Sequence, residues 1–195
     1  MPVLLLVLGA FQSQQGRFDV FVQAKKAGVA TYAVSTRKAG GRMTRLRIVL
    51  AEGSVSESIS ESDIGGNPVR AVETVRRGTA QTKETVTYNA KGDATIVRDK
   101  TKPFVVPFNV NGSRKDPSEL WFRTVKPAAG TWAKYFALDS GKKEWQEVKV
   151  KYVGKRGDGH LIQQSRNMGV TTKFTVDDKG FPILIESGEL RLVRR

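Results

Sequence analysis

The chain has no cysteine and only one histidine, His160. The first absence excludes a disulfide frame, thiolate metal sites, a cysteine nucleophile and a lipid-modified N-terminal cysteine. The second leaves a zinc site to be built almost from carboxylates alone, against the metal's preference for nitrogen and sulfur. Long apolar runs are scarce too. The most prominent, residues 3 to 11 (VLLLVLGAF), is too short to span a bilayer. No long segment carries a 3.6-residue apolar period, and like charges never run to five in a row. There is no G-x-S-x-G elbow, P-loop or dinucleotide fingerprint.

What is present points to a folded domain. The 195 residues are 39% hydrophobic and include three Trp and nine Phe, enough for one ample core. Lys and Arg number 33 against 19 Asp and Glu, a net charge of +14. Such a field attracts polyanions, although charge spread over many solvent faces also serves solubility alone. The basic clusters are small: Arg42, Arg45 and Arg47; Lys149, Lys151, Lys155 and Arg156; Arg191, Arg194 and Arg195. An acidic stretch from Glu52 to Asp63 offsets them.

The N-terminal run reads as the apolar core of an export signal, but the positive residues that should precede it are missing. Gly9 and Ala10 offer weak cleavage positions, and the polar Gln12 to Gly16 resembles the start of a mature chain. Residues 1–15 are thus expected to be an export-signal remnant, with residues 16–195 forming one β domain. An exported location, periplasmic or extracellular, follows from that expectation. The alternative is a buried first strand or helix.

Period two dominates the remainder. From Trp132 to Val153, two alternating runs flank the turn Asp139-Ser140-Gly141-Lys142. Val148, Val150 and Tyr152 alternate with Lys149, Lys151 and Val153, which gives one apolar and one wetter face. Comparable runs recur along the chain, with turn signals roughly 8–12 residues apart, the all-β rhythm. Residues 54–62 carry Val55 and Ile59 among serines and acids and read as an exposed or edge strand. Phe104-Val105-Val106 lies between Pro103 and Pro107, which favours a short edge strand. Residues 109–117 form the longest polar loop. Residues 118–123 are expected to make a helical turn capped by Ser118.

An antiparallel sheet of about a dozen strands cannot stay flat and open. The predicted fold is therefore all-β: a single large curved antiparallel sheet, a half-barrel or open barrel, in mainly meander order, with at most one short helix near 117–123.

Residues 116–195 carry the most particular order of signals. These are Pro117-Ser118-Glu119-Leu120-Trp121-Phe122, Pro127 with Gly130, the Glu147 to Gly154 strand, Phe174 to Pro182 around Asp177-Asp178-Lys179-Gly180, and Leu190-Arg191-Leu192. This region resembles a family of uncharacterised bacterial envelope proteins, similar in fold to the periplasmic lipoprotein carriers. The resemblance implies a curved sheet that half encloses a greasy cavity. It carries over no functional residue, and the chain departs from a carrier in lacking an obvious cavity-plugging helix.

Side chains able to do chemistry are few. His160 sits in the turn-like Gly157-Asp158-Gly159-His160 and is expected to be solvated. Asp177-Asp178 could pair as acid and base, but Asp-Asp-Lys-Gly is also what a hairpin turn requires. No residue is nominated as catalytic or metal-ligating, and no cofactor is expected. The aromatic cluster is the better candidate. Trp121, Phe122, Trp132, Phe136, Trp145 and Tyr152 are expected either to fill the core or to wall a pocket for an apolar or lipid-like ligand. The basic exterior would then dock on an anionic envelope surface, and the alternative role is a structural or polyanion-binding module. Stacking of single-stranded nucleic acid needs aromatic and basic residues on one face, and Lys149 and Lys151 oppose Tyr152 in parity.

Overall fold

The computed structural model describes residues 13–166, 169 and 171–195. The apolar run, residues 3–11, lies outside them, and of the expected 1–15 export remnant only residues 13–15 are described. The first strand begins at Gln14, within the 1–15 span.

The described chain is all-β, as its alternation predicts. The first arm contains β1 (Gln14–Val22), β2 (Lys25–Thr36), β3 (Arg42–Leu50), β4 (Val55–Ser62), β5 (Pro68–Arg77), β6 (Ala80–Tyr88), β7 (Ala94–Arg98) and β8 (Phe104–Val106). The second contains β9 (Trp132–Asp139), β10 (Glu144–Arg156), β11 (Gly159–Arg166), β12 (Thr172–Val176), β13 (Pro182–Ser187) and β14 (Leu190–Arg194). Each arm is an antiparallel meander, and β1 pairs with β14, so all fourteen strands form one sheet. The two edges are β8 and β9, which do not pair, and the barrel is not closed. The expected helical turn is one short 3₁₀ helix, Pro117–Leu120. Asp116 rather than Ser118 caps it, accepting from the Ser118 amide at 2.8 Å.

Curvature has local causes. Register shifts interrupt the pairing at Val20/Phe21, Glu61/Ser62, Tyr152/Gly154 and Thr175/Val176, and such bulges bend and twist a strand. Gly154 takes φ 137, a conformation closed to other residues without strain.

Two local expectations fail for identifiable reasons. Lys25-Lys26-Ala27-Gly28 has the composition of a turn, but those residues belong to β2, and the chain reverses at Gln23 and Ala24 with φ of 49° and 63°. Neither residue type announces a positive-φ hairpin turn. The serine-rich strand β4 is not an edge; it lies between β3 and β5. Its acids are met across the strands: Glu57 by Arg45 at 2.6 Å, and Glu61 by Arg37 at 3.0 Å and Arg70 at 3.2 Å. Paired cross-strand charges make an acidic strand acceptable inside a sheet.

The apolar parity of each strand gathers on the concave face. Phe18, Val20, Ala30, Phe181, Ile185 and Leu192 form one buried cluster. Val150, Tyr152, Ile162 and Val176 form a second, and Val86, Ala94, Ile96 and Val106 a third. Leu138 and Trp145 pack on the third cluster. They share the parity of exposed Trp132 and of Lys149 and Lys151. The tip of the β9–β10 hairpin thus turns its outward parity onto the far end of the sheet, and the two arms meet there.

Candidate functional site

The 107–131 connection leaves β8, crosses the concave side and enters β9. It begins at the seam between the arms. Phe108 lies edge-on to Trp145 with ring centroids 4.8 Å apart, and its amide donates to Asp93 Oδ1 at 2.9 Å. The Phe136 amide donates to the Ser113 carbonyl oxygen at 2.7 Å, so the connection partly covers the free edge of β9.

Beyond Ser113 the connection turns inward. Asp116 Oδ2 accepts from Gln164 Nε2 at 2.8 Å and from the Tyr135 hydroxyl at 3.2 Å, which fastens the 3₁₀ turn to β11 and β9. Glu119 Oε2 accepts from Ser62 Oγ at 3.2 Å and lies 3.9 Å from Arg42 Nη1, on β4 and β3. Trp121, only 5% exposed, then packs on Val150, Tyr152, Ile162 and Val176. A Cβ on Gly180 would stand 2.8 Å from the Trp121 carbonyl oxygen, so the turn before β13 needs glycine there for close approach as well as for its φ of 74°. The concave face is therefore occupied by a connection reaching in from the sheet edge, a covering element that the sequence reading did not find.

The six nominated aromatics divide into three groups. Trp121, Phe122 and Tyr152 meet on the concave face; the Phe122 and Tyr152 rings are edge-to-face at 5.2 Å. Phe136 and Trp145 sit at the seam, where a Cβ on Gly112 would be 2.4 Å from the Phe136 ring, and Trp145 Nε1 donates to the Pro107 carbonyl oxygen at 2.9 Å. Trp132 does not line the interior. It is 64% exposed on the outer face, because its parity follows Lys149 and Lys151 rather than Val150 and Tyr152.

His160 departs from expectation. Its side chain is largely covered, stacked on Phe122 with centroids 4.2 Å apart. Nδ1 lies 2.8 Å from the Tyr152 hydroxyl, and Nε2 2.8 Å from Asp178 Oδ1. Asp178 is fully open to water, and its hydrogen bond to His160 holds the carboxyl below its ordinary value. The solvent end of this Tyr–His–Asp chain is thus a weak proton acceptor at neutral pH. Asp177 instead organises the turn, accepting from the Lys179 and Phe181 amides and binding Arg194 Nη1 at 3.0 Å. Among the described residues no group of three His, Cys, Asp or Glu is placed to hold a metal ion.

The polar groups under the cover show strong fields. Burial, reinforced by the charge of Asp116, pushes the Tyr135 hydroxyl well above its ordinary value. Burial likewise raises Glu119, against the pull of Arg42. Burial and then the charge of Arg42 lower Arg123 to about 10. Arg42, Asp116, Glu119, Arg123, Tyr135 and Gln164 were all missed as site residues. They lie on separate strands and on the connection, and no spacing rule brings them together. Only Pro117-Ser118-Glu119 signalled that the connection had structure.

A pocket of about 590 Å³ opens beside Gln14, Asp178, Phe181 and Arg194. Its walls mix charge with apolar surface.

No family model matches the chain, and no curated protein does. Two crystal structures are similar in shape. One is a β-barrel-like protein of the domain of unknown function DUF1849 from Brucella abortus, with a TM-score of 0.62 and 12% identity over 93% of this chain and 94% of that one. The other is a DUF1089 family protein from Pseudomonas aeruginosa, with a TM-score of 0.40 and 13% identity over 88% of each chain. The first likeness establishes a shared barrel-like fold and nothing of function. Neither structure is a lipoprotein carrier by its description.

Proposed function

We propose that this chain is a non-catalytic, exported protein that binds an apolar or amphiphilic, lipid-like ligand on the concave face, in the place held by Trp121. One observation carries the reading: the side chain that fills this part of the curved sheet belongs to a connection, not to a strand. Lifting the connection bares Val150, Tyr152, Ile162 and Val176. A ligand covering them recovers roughly 25 cal/mol per Å² of apolar surface, the same currency that seats Trp121. The connection also carries the half-buried carboxylates Asp116 and Glu119, and partly desolvated charge makes a cover less secure than an apolar one. Observed affinity is then reduced by the fraction of time the cover is closed.

Native mass spectrometry of gently extracted protein tests the reading. The expected result is a lipid-sized adduct that dissociates on activation. A chain that is always empty, and whose Trp121 fluorescence ignores every amphiphile supplied, removes it. Sequencing the N-terminus from the native host tests export separately; an intact Met1 in the mature protein removes that part.

A second reading has its own observation. Trp132 is paired directly with Lys151, and the same outer row continues through Gln163 to Lys173; Lys149 lies one row away, paired with Lys134. This outer face joins an exposed indole to several ammonium groups and would suit an anionic envelope surface, where Trp sits at the interface and Lys meets head groups. Binding to anionic vesicles that weakens steeply with salt supports it; no binding at low salt dismisses it.

A further inference from the structure

Arg42 and Arg123 stand in an unusual position under the cover. Arg42 projects from β3 on the concave parity, in register with Ser62. Its side chain is 19% exposed. Its Nε is buried with no hydrogen-bond partner among the described residues. Its remaining contacts are long: Nη2 is 3.4 Å from the Tyr32 hydroxyl and Nη1 3.9 Å from Glu119. A guanidinium carries five donors in a planar fork, and this one has no bidentate acceptor.

Arg123 arrives from the connection beside the turn before β13, where a Cβ on Gly180 would lie 3.7 Å from its Cγ, and the charge of Arg42 reaches it there. The carboxylates within its electrostatic reach are Glu119 and Asp177. Glu119 is shared with Arg42, and Asp177 is bound by Arg194. Glu119 also feels the charge of Asp116, so two guanidiniums and two carboxylates meet here with no bidentate ion pair shown between them. A guanidinium donor shielded from water and left without an acceptor, as Arg42 Nε is, is costly unless an anion completes it. Tyr32 packs edge-to-face on Phe181 at 5.5 Å, and Phe181 lines the 590 Å³ pocket.

We infer that Arg42 and Arg123 form an anion subsite, one arginine from the sheet and one from the cover, for a phosphate or carboxylate group. On the ligand reading above, this group is the head of an anionic amphiphile, and its chain runs over the face that Trp121 covers. Bidentate oxygens suit the Arg42 fork, and Arg123 supplies a second charge. Because the anion bridges sheet and cover, it also favours closure over the bound ligand. Glu119 competes for Arg42, so it is the residue that an incoming anion displaces.

The test is a set of calorimetric titrations, below micellar concentrations, with dodecyl phosphate, neutral dodecyl maltoside and inorganic phosphate. The expected result is that dodecyl phosphate binds about tenfold tighter than the maltoside, a difference of about 1.4 kcal/mol. Arg123→Gln and Arg42→Gln each abolish that preference, so that dodecyl phosphate binds no tighter than the maltoside. Glu119→Gln, which keeps the shape of the side chain, strengthens it. Arg123→Gln and Glu119→Gln act in opposite directions, so a fault in folding cannot imitate both. Equal affinity for the two amphiphiles overturns the subsite and leaves the ligand reading standing. Phosphate binding as tightly as dodecyl phosphate keeps the subsite and removes the amphiphile. No heat with any of the three overturns both.

Discussion

The indole Nε1 of Trp145 donates to the carbonyl oxygen of Pro107 at 2.9 Å. This bond joins β10 to the chain just past β8, although no strand pairing links the two arms at that seam. Phe108 and Tyr88 pack on the same indole at 4.8 and 6.1 Å. Side chains do here what a ladder does elsewhere in the sheet. Trp145→Ala should cost about 2–4 kcal/mol, from lost packing and an orphaned acceptor. Trp145→Phe should cost less than half of that. Urea denaturation checks both.

Trp121 holds the cover down. Trp121→Ala removes a buried indole and should destabilise the fold by about 3–5 kcal/mol. If the cover is released before global unfolding, trypsin should cut after Arg123 far faster in the variant than in the parent. Equal cutting rates would mean that Trp121 is ordinary core.

Glu119 should make stability depend on pH. Burial raises its folded value above the ordinary 4.5, so the folded chain holds this proton more tightly than the unfolded chain. The favourable contribution is complete below 4.5 and is lost as pH rises through the higher folded value. Glu119→Gln should therefore equal or exceed the parent in stability at neutral pH. That advantage should close on acidification below 4.5. Urea midpoints across the range measure it.

Gly41 and Gly53 both hold positive φ, 83° and 89°. Around Gly53 a Cβ would meet nothing within 4 Å, whereas at Gly41 it would fall 2.1 Å from the Ser62 carbonyl oxygen. Gly53→Ala should cost only the conformational term, about 1 kcal/mol. Gly41→Ala should cost at least twice as much, because backbone rather than a flexible side chain stands in the way. Thermal melting of the pair separates strain from clash.

Trp132 tests the outer face. Its side chain is 64% exposed, so Trp132→Ala should leave stability within about 0.5 kcal/mol. The same change should sharply reduce binding to anionic vesicles at low salt. Loss of stability with unchanged vesicle binding would assign Trp132 to packing instead.

Much of the fold was legible because strand alternation is a local property. β8 falls on the residues between the two prolines that bound it, and the apolar parity of Val148, Val150 and Tyr152 faces inward. The aromatic cluster was visible as composition. Its division was not, because direction along β9 depends on how the hairpin twists against the far arm. Trp132 and Leu138 share a parity, yet one meets water and the other packs on the cluster of Val86, Ala94, Ile96 and Val106.

By itself the sequence determined that this chain becomes one curved antiparallel sheet, since period two repeats wherever a strand must bury a single face. Tertiary structure alone decided that the 107–131 connection fills the curve, and that Arg42, Glu119 and Arg123 share one shielded place. Those side chains are brought together by closure of the sheet across many strands, and contacts of that range leave no periodic trace in the chain.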